Sequence, residues 1–359
     1  MSEKRLCDYC EEEIKEKIEG ARGTYCSIEC RDEMESDLIC DECGEHSESI
    51  QYYGGMIGAS ICSECASNVV FCETCGNAVW YSDAYHREGD CEEINFCSEN
   101  CLDQYEGRHS SYVYSYCHKP APIFYGSDEP NARYYGVECE LDTDDGRPRM
   151  RAEEEINDKF SSYVYMKYDG SLSEGGVEIV SHPMTLEYHR DTMQWEKLFD
   201  IARNDGLESQ EGAGFHIHVS NRSFKDVVKT QANLVRMFNK FWEEIVEFSG
   251  RDYWELDDWA GKPYIADLYA NDNDIVSAIE EEGRYTAVNL QNASTTEIRV
   301  MASVDTFRDF MARLDFVDNA VEIADTMEWD EIESMNFRDI LDWKEIKKEK
   351  VEKIEIKIA

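Results

Sequence analysis

Paired cysteines constrain the first third of this chain more than any other feature. Twelve of the 15 cysteines fall into close pairs, which group into three sets of four. A tetrahedral zinc ion takes four such ligands, two from a tight turn and two from a second pair that often opens a helix. Segments of about 30 residues bury too little apolar surface to fold alone, so we expect the metal to be structural. The expected ligands are Cys7, Cys10, Cys26 and Cys30, then Cys40, Cys43, Cys62 and Cys65, and finally Cys72, Cys75, Cys97 and Cys101.

The first and third sets are near copies, because segments 25–32 and 96–103 share the pattern aromatic-Cys-Ser-x-x-Cys. The serines, Ser27 and Ser98, are expected to cap the helices that follow. Three zinc-stabilised units are therefore predicted, with boundaries at 1–36, 37–68 and 69–117 and about three Zn²⁺ per chain. They resemble treble-clef and zinc-ribbon modules, and the second and third together resemble a LIM tandem.

Two alternatives to this assignment stay open. His86 or Cys91 could replace one ligand of the third unit, because both lie inside it. The cysteines could instead be reduced thiols of a small core, although their regular pairing favours metal.

The acidic composition limits the partners that the chain can bind. Its formal net charge is −42, and residues 1–117 carry 26 Asp and Glu against 8 Lys and Arg. Nucleic acids and anionic membranes are bound mainly through Lys and Arg, so we expect neither as a partner. Polar residues open the sequence, and no apolar stretch is long enough to span a bilayer. We expect a cytoplasmic protein, located in the host cytoplasm if it is viral, with reduced cysteines.

A second region follows a proline- and glycine-containing segment, 118–130, which we predict to be a linker. From 131 to 359 strand-like and helix-like patterns are mixed without a regular βαβ repeat. Helices are predicted over 185–204, 223–248 and 305–327, and a strand over 177–180. This pattern favours an α+β domain, an antiparallel sheet with helices on one face. The C-terminal segment 347–359 could add an edge strand or extend freely.

Three short segments of this region place polar side chains two residues apart, between apolar residues. Two residues is the repeat of a β-strand, so each pair should project from one face of its strand. A single pair is typical of a solvent-facing strand. Three pairs with carboxylates, imidazoles and a guanidinium indicate metal and phosphate chemistry. The pairs are Glu138 with Glu140, His216 with His218, and Glu297 with Arg299.

An ordered set of short motifs from about 133 to 345 resembles the amidoligase family of the glutamine synthetase-like carboxylate–amine ligase superfamily. The motifs are Tyr135-Gly-Val-Glu-Cys-Glu-Leu141, Lys167-Tyr-Asp-Gly-Ser-Leu172, Gly176-Val-Glu-Ile-Val-Ser181, Phe215-His-Ile-His-Val-Ser220, Ala287-Val-Asn-Leu290 and Thr296-Glu-Ile-Arg299. The resemblance implies a glutamine synthetase-like catalytic domain. It also implies an ATP-dependent ligase that phosphorylates a carboxylate and then joins the acyl group to an amine. The combination with zinc units resembles bacteriophage and bacterial proteins.

The resemblance also implies roles for individual residues. Two Mg²⁺ ions, or Mn²⁺ in their place, would bridge the phosphates of ATP. One ion would be held by Glu138, His216 and Glu297. The other would be held by Glu140 and Glu178, with Asp169 as a further candidate. Arg299 and Lys167 would contact the transferred phosphate or the substrate carboxylate, with Arg284 as another anion contact.

Several of these residues have simpler interpretations. Asp169 belongs to an Asp-Gly-Ser turn signal and could serve the turn alone. Glu178 could be a solvent-facing strand residue. His218 could bind substrate or form a hydrogen bond, since one imidazole is enough for the ion site, and His216 is only modestly favoured as the ligand.

Two function classes are consistent with the sequence. The first is an amidoligase acting on small-molecule, peptide or protein carboxylates and amines, with zinc units that recruit the substrate or a protein partner. The second is a non-catalytic zinc-based adaptor with an inactive ligase-like domain. An inactive domain is expected to lose metal-binding carboxylates, and the sequence retains all of them, so the enzyme is favoured. A zinc-finger nucleic-acid protein is disfavoured by the charge of the first region.

Overall fold

The computed structural model describes residues 5–88, 93–108 and 112–348. It separates the chain into two compact units, Met1–Arg108 and His109–Ala359. The boundary lies before the predicted linker, because the strand Val113–Tyr114 belongs to the sheet of the second unit. Within the predicted linker, the Tyr125 N–H donates to the Pro183 carbonyl of the same unit. Cys91 and residues 349–359 lie outside the described residues.

The first unit consists of short antiparallel hairpins and short helices. Its strands pair as β1 (Ile18–Glu19) with β2 (Thr24–Tyr25), β3 (Ile50–Tyr53) with β4 (Ala59–Cys62), β5 (Val69–Phe71) with β6 (Ala78–Trp80), and β7 (Tyr85–Glu88) with β8 (Glu93–Phe96). Its α-helices are α1 (Ile28–Met34), α2 (Ser63–Ala66) and α3 (Glu99–Arg108), and short 3₁₀ helices span Ser36–Leu38 and Tyr81–Asp83.

Each cysteine set is built in the same way: a turn with two cysteines, a hairpin, and a short helix that carries the fourth cysteine. The predicted caps hold this geometry in place. The Ser27 side chain accepts from the Cys30 N–H, and the Ser98 hydroxyl accepts from the Cys101 N–H. Few large apolar side chains are buried here, with Tyr25, Ile61 and Phe96 as the largest. The apolar core of the first unit is therefore small, and its dependence on metal for stability stays a prediction.

The second unit is built on a seven-stranded sheet with the order β14-β15-β13-β10-β12-β11-β9. Its strands are β9 (Val113–Tyr114), β10 (Tyr135–Leu141), β11 (Val164–Lys167), β12 (Val177–Ser181), β13 (Gly214–Ser220), β14 (Val288–Asn289) and β15 (Thr295–Ala302). Neighbouring strands are antiparallel except β9 and β11, which are parallel. The sheet is thus mixed, and the prediction of a wholly antiparallel sheet is wrong at this edge.

Ten α-helices are described in the second unit. They are α4 (Met150–Phe160), α5 (Leu186–Asp191), α6 (Trp195–Asn204), α7 (Val227–Lys240), α8 (Trp242–Ser249), α9 (Tyr253–Trp259), α10 (Asp272–Glu282), α11 (Phe307–Thr326), α12 (Trp329–Glu333) and α13 (Phe337–Leu341), with a 3₁₀ turn at Asn221–Ser223.

One face of the sheet packs into the core. On β10 the side chains of Val137, Cys139 and Leu141 are fully buried. Phe215 of β13 packs against Phe310 of α11, with ring centroids 5.3 Å apart. Side chains alternate along a strand, so the residues between these apolar positions project from the opposite face. That face carries the polar pairs singled out in the sequence.

Two of the predicted helices are interrupted. The segment 185–204 forms α5 and α6 in place of one helix, and 223–248 forms α7 and α8, with Phe241 between them in a non-helical conformation. The hydrophobic period continues across both breaks, so periodicity alone cannot reveal them. Gly250 ends α8 with φ of 76°, as a C-terminal glycine is expected to do. Among the described residues, no helix is long and apolar enough to cross a membrane.

Candidate metal and active sites

The twelve paired cysteines form the three predicted clusters, and in each cluster the four Sγ atoms lie within 4.8 Å of one another. The Sγ atoms of Cys10 and Cys26 are 3.5 Å apart, and those of Cys43 and Cys62 are 3.9 Å apart. Tetrahedral zinc with Zn–S bonds of about 2.3 Å requires sulfur atoms about 3.8 Å apart. The clusters therefore fit structural zinc. His86 is not part of the third cluster, because its ring nitrogens face Asn95 and the Tyr81 carbonyl.

The backbone favours a thiolate at the first cysteine of the first and second clusters. Burial opposes ionisation of Cys7, but N–H groups of Cys10, Tyr9 and Cys26 lower its pKa to about 6. The pKa of Cys40 is also lowered to about 6, because N–H groups directed at its sulfur outweigh burial. Zinc binds thiolates, so these clusters carry one ligand in the binding form near neutral pH.

The candidate active site lies in the second unit, where adjacent strands bring the polar pairs together. β10 pairs with β13, which places Glu138 opposite His216. β13 pairs with β15, which places His218 opposite Glu297. Residues 78 or more positions apart in the chain thus become neighbours on one face. The predictions that 138–140, 216–218 and 297–299 lie on strands are confirmed.

The neighbouring strands extend the same polar row. Glu140 of β10 lies opposite Glu178 of β12, and Glu178 lies opposite Lys167 of β11. The Lys167 Nζ lies 2.8 Å from Oε2 of Glu178, and both side chains are buried. The Gly214 N–H donates to Oε2 of Glu140 at 2.5 Å. Four carboxylates therefore converge on one face, and Lys167 partly balances their charge.

The carboxylate of Glu138 lies between the two imidazoles. Its Oε2 is 3.3 Å from Nδ1 of His216, and its Oε1 is 3.4 Å from Nε2 of His218. Oε1 of Glu297 lies 3.8 Å from the nearer nitrogen of each imidazole. Ligand atoms bound at about 2.1 Å to one ion are separated by about 3.0 Å or more, so this spacing fits divalent cations.

Among the groups of these side chains whose ligand atoms lie within 4.8 Å of one another, two contain Glu138. One group is Glu138, His218 and Glu297, and the other is Glu138, Glu178 and His216. Glu138 is common to both groups, and each group contains one imidazole. The predicted set of Glu138, His216 and Glu297 is also compact, because Nδ1 of His216 lies 3.3 Å from Oε2 of Glu138 and 3.8 Å from Oε1 of Glu297. The assignment of ligands to each ion therefore stays a prediction. Sequence spacing cannot decide which imidazole belongs to which ion position, since His216 and His218 project from the same strand face.

The charges of the site are strongly coupled. Burial opposes ionisation of Glu138, but His218 and His216 hold its pKa well below the usual range. Burial and the charge of Glu138 raise the pKa of Glu178 well above its usual value despite the presence of Lys167. A carboxylate that resists ionisation in this environment gains from a nearby cation. The donor set and the electrostatics thus fit hard divalent ions.

Glu297 is the most extensively hydrogen-bonded of these carboxylates. It accepts from Nη1 of Arg299 at 2.6 Å, from Nδ2 of Asn289 at 2.7 Å and from Nδ2 of Asn292 at 3.2 Å. Burial opposes its ionisation, but His218, His216 and Arg299 lower its pKa. Its orientation is therefore fixed before any ion binds.

Asp169 takes part in the turn that the sequence predicts. Its Oδ1 accepts from both the N–H and the hydroxyl of Ser171, at 2.9 and 2.6 Å. It also lines the cavity described below. The structure therefore gives Asp169 a turn role and also places it in the wall of the cavity.

The four carboxylates, the two imidazoles, Lys167, Asp169 and Arg299 all line one cavity of about 520 Å³. Its mouth is bordered by exposed aromatic and basic residues. Arg284 donates to the hydroxyls of Tyr285 at 2.6 Å and Tyr116 at 3.3 Å, and Trp259 lies edge-on to Tyr285. A cavity of this size with an acidic floor and a basic, aromatic rim can hold a polyphosphate together with cations.

Some residues of the cavity are not indicated by the sequence. These residues lie in loops and belong to none of the short strand motifs. They are Tyr116, Lys119, Gly212, Arg251, Gln291 and Asn292. Arg251 is the most buried cation among them, with 5% of its surface exposed. Arg251 directly follows a helix-ending glycine, and this sequence pattern does not predict that it lines the cavity.

The sequence matches no family model, and a search of curated proteins finds no match either. Neither comparison supports the resemblance to amidoligases. Function is therefore inferred from the site.

Proposed function

We propose that the second unit is an ATP-dependent carboxylate–amine ligase that forms an amide through an acyl phosphate. The observation that carries this proposal is the convergence of Glu138, Glu140, Glu178 and Glu297 with two imidazoles in one cavity that also contains Lys167 and Arg299. Phosphoryl transfer depends on positioning and charge neutralisation more than on covalent chemistry by the protein. A cavity with this donor set supplies both.

The ions implied by the resemblance fit the residues present. Two Mg²⁺ or Mn²⁺ ions, sharing Glu138, would neutralise the phosphates of ATP when bound. Glu297 and His218 would complete one position, and Glu178 and His216 the other. Glu140 lies near the second position, with Oε1 4.0 Å from Nε2 of His216.

The basic residues would hold the reacting anions. Nη1 of Arg299 donates to Glu297 and its Nε to the Trp259 carbonyl, and 14% of the side chain is exposed. These bonds orient the guanidinium, and its Nη2 would contact a phosphate or carboxylate. Lys167 is paired with Glu178 and would lie beside an ion held by that carboxylate. A guanidinium suits this task, because its two parallel donors match a phosphoryl or carboxylate group.

The reaction then requires two displacements. A carboxylate oxygen of the acid attacks the γ-phosphorus of ATP, the bond to the bridging oxygen breaks, and ADP leaves. The amine nitrogen attacks the acyl carbon, and inorganic phosphate departs with the oxygen that came from the acid. The amine nitrogen loses a proton as the amide forms.

The zinc units would recruit the peptide, protein or small-molecule substrate, or a protein partner. They are acidic and structurally closed, with four sulfur ligands each, so we assign no catalysis to them. An adaptor without activity is the competing function, and turnover distinguishes the two.

The test is release of ADP from ATP and Mg²⁺ in the presence of panels of acids and amines. We expect ADP formation that depends on both an acid and an amine. Absence of nucleotide turnover across broad panels would favour the adaptor. Release of AMP in place of ADP would contradict the acyl-phosphate route.

A further inference from the structure

Arg251 is a buried cation with two side-chain nitrogens that lack hydrogen-bond partners among the described residues. It follows α8 and lines the cavity with 5% of its surface exposed. Its Nε and Nη1 are buried and have no hydrogen-bond partner among the described residues. A buried guanidinium without partners is costly, so such groups are rare unless they meet a ligand.

Arg236 shows what a structural arginine looks like in the same unit. It is equally buried, with 5% of its surface exposed. Its Nε donates to the Leu268 carbonyl at 2.9 Å, its Nη1 to Asp272 at 2.7 Å and its Nη2 to the Ala270 carbonyl at 2.7 Å. Every nitrogen of Arg236 is engaged, whereas Arg251 keeps two donors free. Arg236 therefore stabilises the fold through its hydrogen bonds, whereas Arg251 does not.

The surroundings of Arg251 identify the kind of ligand. A Cβ atom placed on Gly214 would lie 2.4 Å from Nη2 of Arg251, 2.8 Å from Nε2 of His216 and 3.3 Å from Oε2 of Glu140. The absence of a Cβ atom at Gly214 thus lets a guanidinium, an imidazole and a carboxylate approach one another beside this strand. Because Glu140 and His216 belong to the proposed ion site, an anion bound to that ion would also meet Arg251.

We propose that Arg251 binds the γ-phosphoryl group of the nucleotide, in addition to Arg299. This inference rests on the proposed ATP-dependent function. The terminal phosphoryl has three oxygens, enough for an ion and two guanidinium groups, and its negative charge is spread over these oxygens during transfer. ADP lacks this group, so the contribution of Arg251 should distinguish the two nucleotides.

The experiment compares Arg251→Met with Arg236→Met in the full zinc-loaded chain. Calorimetric titration with Mg²⁺ and either AMP-PNP or ADP gives the affinities, and thermal unfolding without nucleotide gives the stability. We expect Arg251→Met to weaken AMP-PNP binding about tenfold or more, because charge-assisted hydrogen bonds are lost, while ADP affinity changes less than about twofold. Its unfolding midpoint should equal or exceed that of the wild type, whereas Arg236→Met should lower the midpoint.

Each other result has a defined meaning. Equal loss of AMP-PNP and ADP affinity in Arg251→Met, or no loss of either, would overturn the assignment to the γ-phosphoryl group. A lower unfolding midpoint in Arg251→Met would give the residue a structural role and also overturn it. Failure of the wild-type protein to bind either nucleotide would contradict the proposed function itself.

Discussion

His189 is expected to make the second unit sensitive to acid. Its side chain is fully buried, its Nε2 donates to the Tyr135 carbonyl at 3.0 Å, and its Nδ1 accepts from Nε1 of Trp195 at 3.1 Å. This arrangement requires the neutral imidazole. Burial lowers the pKa of His189 from 6.5 to about 4, although the bond to Tyr135 opposes the change.

The sign and size of the effect follow from these values. Between pH 6.5 and about 4 the unfolded chain binds a proton at His189 that the folded protein does not bind. The contribution of His189 to stability is therefore present above pH 6.5 and is lost as the pH falls. The free energy of unfolding should decrease by about 1.4 kcal/mol for each pH unit and by roughly 3 kcal/mol over the whole range.

The measurement is urea unfolding followed by tryptophan fluorescence, for the wild type and for His189→Gln. Six of the seven tryptophans lie in the second unit, so the signal reports that unit, and zinc loss in the first unit contributes little. Glutamine can keep both hydrogen bonds but does not titrate. The free energy of unfolding of the wild type, relative to that of His189→Gln, should fall by roughly 2.5 kcal/mol between about pH 7 and pH 4.5. Parallel stability curves for the two proteins would refute this reasoning.

Other predictions concern the cysteine clusters and the active site. Elemental analysis is expected to find about three zinc ions per chain, and Cys40→Ser should lose one of them; a content of one or none in the wild type would contradict the grouping of the cysteines. Glu297→Gln should abolish nucleotide turnover without changing zinc content, and loss of zinc in this variant would mean that the two units are misassigned. The buried Glu35 carboxylate accepts from the Arg22 N–H at 2.7 Å, from the Tyr25 hydroxyl at 2.9 Å and from His46. Glu35→Gln should therefore lower the thermal unfolding midpoint of the first unit, measured by circular dichroism. An unchanged midpoint would show that this buried network contributes little.

The zinc clusters and the strand pairs could be predicted because each depends on local spacing. Two cysteines in one turn must be neighbours in the sequence, and two side chains on one strand face must be two residues apart. The same rule places Glu138 beside Glu140. It gives no information on which strand lies next to β10, and the prediction of a common site therefore relied on the family resemblance.

The details that escaped prediction depend on tertiary contacts. Phe241 interrupts a helix whose hydrophobic period continues without change. The sharing of Glu138 by two imidazoles depends on the register between β10 and β13. Arg251 lines the cavity from the residue directly after α8, which ends at Gly250. Such placements arise from packing between distant segments, which no single-sequence pattern records.

The most direct test of the proposed ligase is the fate of the oxygen atoms of the acid. The protein would be incubated with ATP, Mg²⁺, amines and a pool of acids whose carboxylates carry the heavy oxygen isotope, and the released phosphate would be analysed by mass spectrometry. An acyl-phosphate route transfers one carboxylate oxygen to inorganic phosphate, so labelled phosphate should form only when an amine is present, together with an amide product. Unlabelled phosphate alone would reveal simple ATP hydrolysis and contradict the assignment of this site to amide formation.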